Sequence, residues 1–252
     1  MKKILNKNAL QFIAIIAMTL DHLTWVLFKG YSTHPLAITF HILGRLAFPI
    51  FAFFIAEGYH YTSSKKKYLL RLGLFALISH VPYMMASINF QTYGPASFIP
   101  FYCGDGITRF INQTNVLVSY FIGILMLMVN DSKRIKEWIK PFIILVLCVF
   151  SFPADWSCIG SLVVLSIGSN RGKPIKQILW SLLWIIMYAL VYIFSMDLTY
   201  GFIQFGVFLT IPLLALYNGQ KSKSIKLNKV MRWFFYIYYP LHLLILGFLN
   251  LI

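Results

Sequence analysis

Acidic residues are scarce in this chain: seven Asp and Glu stand against 22 Lys and Arg in 252 residues, and charged residues of both signs make up only 12%. A soluble domain carries about a quarter charged residues, so the shortage excludes an ordinary water-exposed globule. Cysteine is short as well. Cys103, Cys148 and Cys158 give no paired framework and no metal-ligand spacing, which excludes a disulfide-stapled scaffold. HxxxH, CxxC and HExxH patterns are absent; His41, His80, Asp155 and His242 can be written as ligands, but no metal is expected. No internal repeat and no linker divides the chain, so residues 1–252 read as a single domain. A removable signal peptide is not expected either. The first apolar segment is full length and ends in Phe28-Lys29-Gly30 without a small-residue cleavage pattern.

What fills the chain instead is hydrocarbon: 59% hydrophobic residues, 17% aromatic ones and a mean hydropathy of +0.74. This composition predicts an integral membrane protein. Apolar segments span approximately 9–28, 36–60, 68–88, 114–130, 141–152, 156–168, 177–195, 200–217 and 233–251. The expected fold is all-α, a polytopic transmembrane helix bundle of about nine membrane segments. Nineteen of the 22 basic residues cluster in alternate connections, around Lys2, Lys65, Lys133, Arg171 and Lys221, and only Lys29, Arg45 and Arg109 fall elsewhere. The positive-inside rule then places the N-terminus in the cytoplasm and the C-terminus outside. A net charge of +15 distributed in this way requires no nucleic acid as partner, while the loop 221–232 is suited to anionic membrane lipids or a coenzyme.

Two irregular regions stand out. The connection 89–113 is rich in Gly, Pro and aromatics, which suits a partly ordered lid or a re-entrant turn. The fifth and sixth segments, of 12 and 13 residues, reach only about 18–20 Å at about 1.5 Å per residue. Their turn, Phe152 to Trp156, is therefore expected below the outer surface, with Asp155 as an intramembrane carboxylate or as a helix cap.

Ionisable residues at bilayer depth are costly and mark function by default. Counting helical rise from the segment ends puts Asp21, His22, Arg45, His80 and Asp155 within about one turn of a common level, with His242 slightly lower. His41 and Arg45 lie four apart and share one helix face. Their expected partner is Asp21 or Asp155. Polar glue between membrane helices is usually Ser, Thr, Asn or Gln; an Asp, His and Arg set points to chemistry or transport. His22 is the candidate general base, Asp21 or Asp155 the carboxylate that orients it, and Arg45 the charge stabiliser. Asp21 and His22 point about 100° apart on a helix, so they are not expected to face each other. Glu57 falls level with Arg71, either as an ion pair or as part of a vestibule for a phosphate-bearing cosubstrate.

Several stretches together resemble one family. ALQFIAIIAMTLDH at 9–22, GRLAFPIFAFFIAEGYHYT at 44–62, YLLRLGLFALISHVPY at 68–83, Asn115-Val116, Ala154-Asp155-Trp156 and FYIYYPLHLLIL at 235–246 are similar, in order, to the TraX family of integral membrane proteins. That family is associated with conjugative pilus biogenesis and pilin acetylation, and looks related to larger multi-pass acyltransferases. The resemblance implies transfer of an acetyl group from cytoplasmic acetyl-CoA to an acceptor at the bacterial cytoplasmic (inner) membrane, the acceptor being a pilin-like peptide, a glycan or a small molecule. It carries over Asp21, His22, Arg45, Glu57, Arg71, His80, Asn115, Asp155 and His242. One departure is Gln11, where many of the larger relatives have Arg. Two rival readings use the same residues: a proton-coupled small-molecule transporter and a non-catalytic assembly factor.

Overall fold

The computed structural model describes residues 3–28, 30–99 and 113–251, apart from the side chains of Lys229 and Arg232. Lys29, Cys103, Arg109 and most of the 89–113 connection thus lie outside the described residues. Every apolar segment is helical, and no strand occurs among the described residues. Six stretches are long and apolar enough to cross a membrane: Lys7–Leu27, Pro35–Tyr61, Lys65–Ala86, Pro174–Ser195, Leu198–Ala215 and Trp233–Leu251. The remaining three of the expected nine segments are the shorter helices Val116–Asn130, Lys140–Ser151 and Ser157–Ser169.

Local chemistry explains where these helices start and break. Helix α1 (Lys7–Leu27) begins where the Asn6 side chain accepts from the Ala9 amide. The second segment, expected as one helix, is two: α2 (Pro35–Gly44) and α3 (Ala47–Tyr61). Pro49 has no N–H to offer the Arg45 carbonyl four residues back, and its ring crowds that oxygen. The interruption therefore falls at Arg45. Helix α4 (Lys65–Ala86) is capped by Ser64. It is followed by the short α5 (Ile88–Tyr93), a 3-10 turn at Gly94–Phe98, and α6 (Val116–Asn130), which is capped by Asn115. Then come α7 (Lys140–Ser151), α8 (Ser157–Ser169) and α9 (Pro174–Ser195). The eighth segment is irregular: α10 (Leu198–Ile203), a 3-10 stretch Gln204–Leu209, and α11 (Thr210–Ala215). Helix α12 (Ile225–Leu251) closes the chain.

Packing runs around a ring: α1 against α3, α3 against α8, α8 against α6, α6 against α4, α4 against α12, and α12 back onto α1. Helices α2, α7 and α9 lie outside this ring, packed on α1, on α6 and α8, and on α8 respectively. Outward faces are apolar. On α9 Leu179, Leu183, Leu190 and Phe194, and on α7 Phe142, Leu145 and Val149, are exposed; bands of this extent on a protein surface mark contact with lipid. The protein is therefore a helical membrane protein.

The basic connections meet at one end of the bundle. Leu5 pairs with the backbone of 216–218, Lys65 approaches Asp131 at 3.8 Å, and Arg171 pairs with Glu57 at 3.2 Å. The opposite end gathers the turn 152–156 and the segment 113–115, tied by Asp155 N–H donating to the Thr114 carbonyl at 2.7 Å.

The crossing of α6 on α8 uses small residues, as membrane helices do when they approach closely. Ser161 Oγ donates to the Ser119 carbonyl at 2.8 Å. A Cβ on Gly123 would stand 2.7 Å from Val164 Cβ and 3.1 Å from the Ser161 carbonyl oxygen. Gly123→Ala is expected to push α6 and α8 apart and cost about 1–3 kcal/mol, read as a lower melting temperature in detergent. Leu145→Ala on the lipid face is the comparison, and its shift is expected to be small.

Candidate functional site

Asp21 in α1 is the meeting point of two side chains from the end of α2, His41 and the C-cap residue Arg45. Its Oδ1 accepts from His41 Nδ1 at 2.7 Å and from Arg45 Nη2 at 2.8 Å, and Oδ2 accepts from the same Nη2 at 3.0 Å. The i, i+4 spacing puts His41 and Arg45 on one face, as expected from sequence. The helices come this close because residue 44 is glycine. A Cβ there would lie 2.4 Å from Asp21 Cβ.

The rest of the guanidinium is also occupied. Nε donates to the His41 carbonyl at 3.3 Å and Nη1 to Gln204 Oε1 at 3.2 Å, and the Arg45 Cζ stands 5.4 Å from the Trp156 ring centre. Thr24 supports the cluster through its hydroxyl, which reaches the Asp21 carbonyl at 2.5 Å and His41 Nε2 at 3.0 Å. With side chains only 13% and 15% exposed, Asp21 and Arg45 are a buried pair whose mutual neutralisation makes the depth tolerable.

His22 turns away from this cluster, as its 100° offset from Asp21 requires. The expectation that a carboxylate orients His22 is corrected here: the partner of His22 Nδ1 is His242 Nε2, at 2.8 Å. His242 Nδ1 in turn lies 2.9 Å from the Tyr238 carbonyl oxygen. A carbonyl can only accept, so His242 carries its proton on Nδ1 and, as a neutral ring, presents a lone pair on Nε2. His22 must then donate from Nδ1. That leaves the lone pair of His22 on Nε2. Trp25, with ring centres 4.5 Å apart, and Tyr239, at 6.4 Å, flank the imidazole.

Two recesses adjoin at this point. A small pocket of about 30 Å³ is lined by Asp21, His22, Arg45, Asp155 and Trp156, among others. A larger cavity of about 590 Å³ begins among Lys7, Arg71, Lys221 and Ser63 at the basic end of the bundle. Met18, Phe51, Val116, Tyr120 and Tyr239 line both, so the large cavity at the basic end adjoins the His22 pocket across these five side chains. Its size lies within the range of small-molecule sites. Asp155 thus joins Asp21, His22 and Arg45. The N-cap position of α8 is Trp156, whose side chain makes no capping hydrogen bond. Trp156 and Ser157 instead adopt left-handed backbone, with φ of 63° and 49°; such non-glycine conformations persist where packing over-determines them and recur at functional turns.

Other expected site residues are placed elsewhere. His80 does not join the His22 layer: its Nδ1 meets Thr114 Oγ1 and its Nε2 the Phe98 carbonyl oxygen, both at 2.9 Å. It pins the start of the 89–113 connection, because the rise along α4 fixes depth but not the direction the ring faces. Asn115 caps α6 and donates from Nδ2 to the Ala76 carbonyl at 2.8 Å, a structural position. Glu57 does not pair with Arg71. Its partner is Arg171, across from α3, while Arg71 lines the large cavity over the rings of Tyr68 and Tyr236. Gln11 lines the same cavity. Sequence reasoning missed Tyr239 and Gln204. Tyr239 had one legible signal, its position three residues before His242 and hence on the same face.

A family model described as "TraX protein" matches residues 6–250, a range that contains every residue of both recesses. The chain is 28% identical over 243 residues to the "Probable fimbrial assembly protein FimC, serogroup H1" of Dichelobacter nodosus, covering 94% of this chain and 92% of that one. No solved structure matches.

The geometry of the ion cluster generates a stability prediction. Asp21→Asn leaves Arg45 buried without its counter-charge and is expected to cost about 3–5 kcal/mol. Adding Arg45→Met should restore part of that loss. A double-mutant cycle on melting temperatures in detergent reads the coupling, and additive losses would show that the pair does not hold α1 to α2.

Proposed function

The chain belongs to the TraX family, and on that premise we propose that it is an acetyl-CoA-dependent acetyltransferase of the bacterial cytoplasmic membrane. The observation that carries this reading is the pair of adjoining recesses, the large one among Lys7, Arg71 and Lys221 and the small one beside His22. A donor with phosphates at one end and a thioester on a long arm at the other matches that distribution of charge and depth. The basic end is the cytoplasmic end by the positive-inside rule, where acetyl-CoA is present.

In this reading the acceptor, an amine or a hydroxyl, lies beside His22 Nε2. Its lone pair attacks the thioester carbonyl carbon as His22 takes its proton. The carbonyl π pair moves onto oxygen; when the tetrahedral species collapses, the C–S bond breaks and the departing thiolate recovers the proton from His22. The products are the acetylated acceptor and free coenzyme thiol. His242 holds the His22 ring in the tautomer this requires, which is the role otherwise expected of a carboxylate. Arg45, clamped by Asp21, contributes positive field to the pocket. Asp155 faces the same space and is placed to receive the acceptor. The fimbrial relative directs the choice of acceptor toward a subunit of a surface filament.

A proton-coupled transporter would need an intramembrane carboxylate that loads and releases protons. Asp21, held by Arg45 and His41, is poorly suited to that cycle, so such a reading would have to run through Asp155 in the same pocket. A non-catalytic assembly factor would not need a histidine with an unengaged lone pair.

His22→Asn retains a donor for His242 and removes the Nε2 base. Acetyl transfer is expected to fall by about 10²–10⁴-fold with melting temperature near wild type; retained turnover would remove His22 from the mechanism. Mass spectrometry of envelope fractions from deletion and complemented strains should show an acetyl mass difference on one species. Complementation by His22→Asn with no loss of filament assembly would favour the non-catalytic reading.

A further inference from the structure

Tyr239 is a residue of the His22 pocket whose burial the fold itself does not explain. Only 5% exposed, it carries a buried hydroxyl whose proton has no acceptor among the described residues. A hydroxyl taken from water without compensation is destabilising, and phenylalanine would fill the same volume without that penalty. The ring stands at the junction of the two recesses, 6.4 Å from the His22 ring centre and 5.6 Å from that of His242. The phenolic oxygen faces the backbone amide of Val116, the first residue of α6, where the partial positive charge of the helix N-terminus collects.

A thioester carbonyl beside His22 needs a donor for the oxygen that becomes negative. Arg45 has little left to give, since Nε and Nη2 are taken by His41 and Asp21 and one Nη1 proton by Gln204. Moving its guanidinium would release the buried Asp21 charge. Tyr239 has no competing partner, its proton is available, and the Val116 amide behind its oxygen polarises the O–H bond.

We propose that the Tyr239 hydroxyl is the oxyanion donor of this site, hydrogen-bonding the acetyl carbonyl oxygen of the donor thioester. The assignment rests on the acetyl-transfer reading and deepens it. As the acceptor's lone pair forms the new bond to the carbonyl carbon, the C=O π pair moves onto oxygen and the Tyr239 O–H···O bond strengthens. Tyr239 keeps its proton throughout; the acceptor's proton goes to His22 and then to the leaving thiolate. When the C–S bond breaks, the carbonyl re-forms and the hydrogen bond relaxes.

The test uses the full chain in lipid nanodiscs, with acetyl-CoA as donor, hydroxylamine as a probe acceptor, and release of free thiol as the readout. Tyr239→Phe is expected to lower kcat by about 10²-fold, leave KM for acetyl-CoA within about twofold, and keep or raise the melting temperature, because an unpartnered buried hydroxyl has been removed. Turnover within about threefold of wild type would overturn the Tyr239 assignment while leaving acetyl transfer in place. A raised KM accompanied by a lowered melting temperature would make Tyr239 a packing residue and also overturn it. Absence of thiol release from the wild-type protein would instead overturn the acetyl-transfer reading, and the oxyanion role with it.

Discussion

The buried pairing of Asp21 with Arg45 and His41 is the constraint on which the site depends. Each charge alone would be prohibitive at this depth, so α1 and α2 are held in the one register that brings them together. Glycine at 44 allows the approach, and Pro49 ends α2 where Arg45 can turn inward. From that fixed contact the remaining geometry follows. With Asp21 committed to α2, the next residue, His22, must face another side of α1, and α12 is the helix that waits there with His242.

The histidine pair shows how a backbone carbonyl sets chemistry two side chains away. The Tyr238 carbonyl determines the tautomer of His242, which determines that of His22, which places the lone pair on Nε2. Carboxylates commonly do this work in acid–base sites. Here Asp21 is committed to Arg45 and His41, and the neighbour of His22 Nδ1 is a second imidazole, His242. The ring of helices around α1 then sets the large cavity of the basic end beside the His22 pocket, and the left-handed turn at Trp156 and Ser157 brings Asp155 to that pocket from the opposite end.

Much of the fold was legible in the chain. Hydropathy located the six stretches long and apolar enough to cross a membrane, because membrane helices must satisfy their backbone internally and so announce themselves as long apolar runs. The alternation of basic loops foretold which connections share one end. The shortness of α7 and α8 was visible too, as was the turn carrying Asp155. Less visible were the break at Arg45, although Pro49 signals it, and the 3-10 stretch 204–209 that brings Gln204 to Arg45. The site was legible as a set of residue types at similar depth: Asp21, His22, Arg45, Asp155 and His242 do converge. His80, Asn115 and Glu57 share the apparent significance of that set, yet each is engaged elsewhere.

Sequence by itself determined the class of the protein, its helices, its charge asymmetry and a roster of costly intramembrane groups, because these depend on composition and on distance along one chain. Tertiary structure alone decided the pairings. Axial rise gives a side chain's height, but partner choice depends on its rotation about the helix axis and on which helices are neighbours, and both are set by packing. Thus Asp21 went to Arg45, His22 to His242 and Glu57 to Arg171, and the Tyr239 hydroxyl was left buried at the mouth of the His22 pocket.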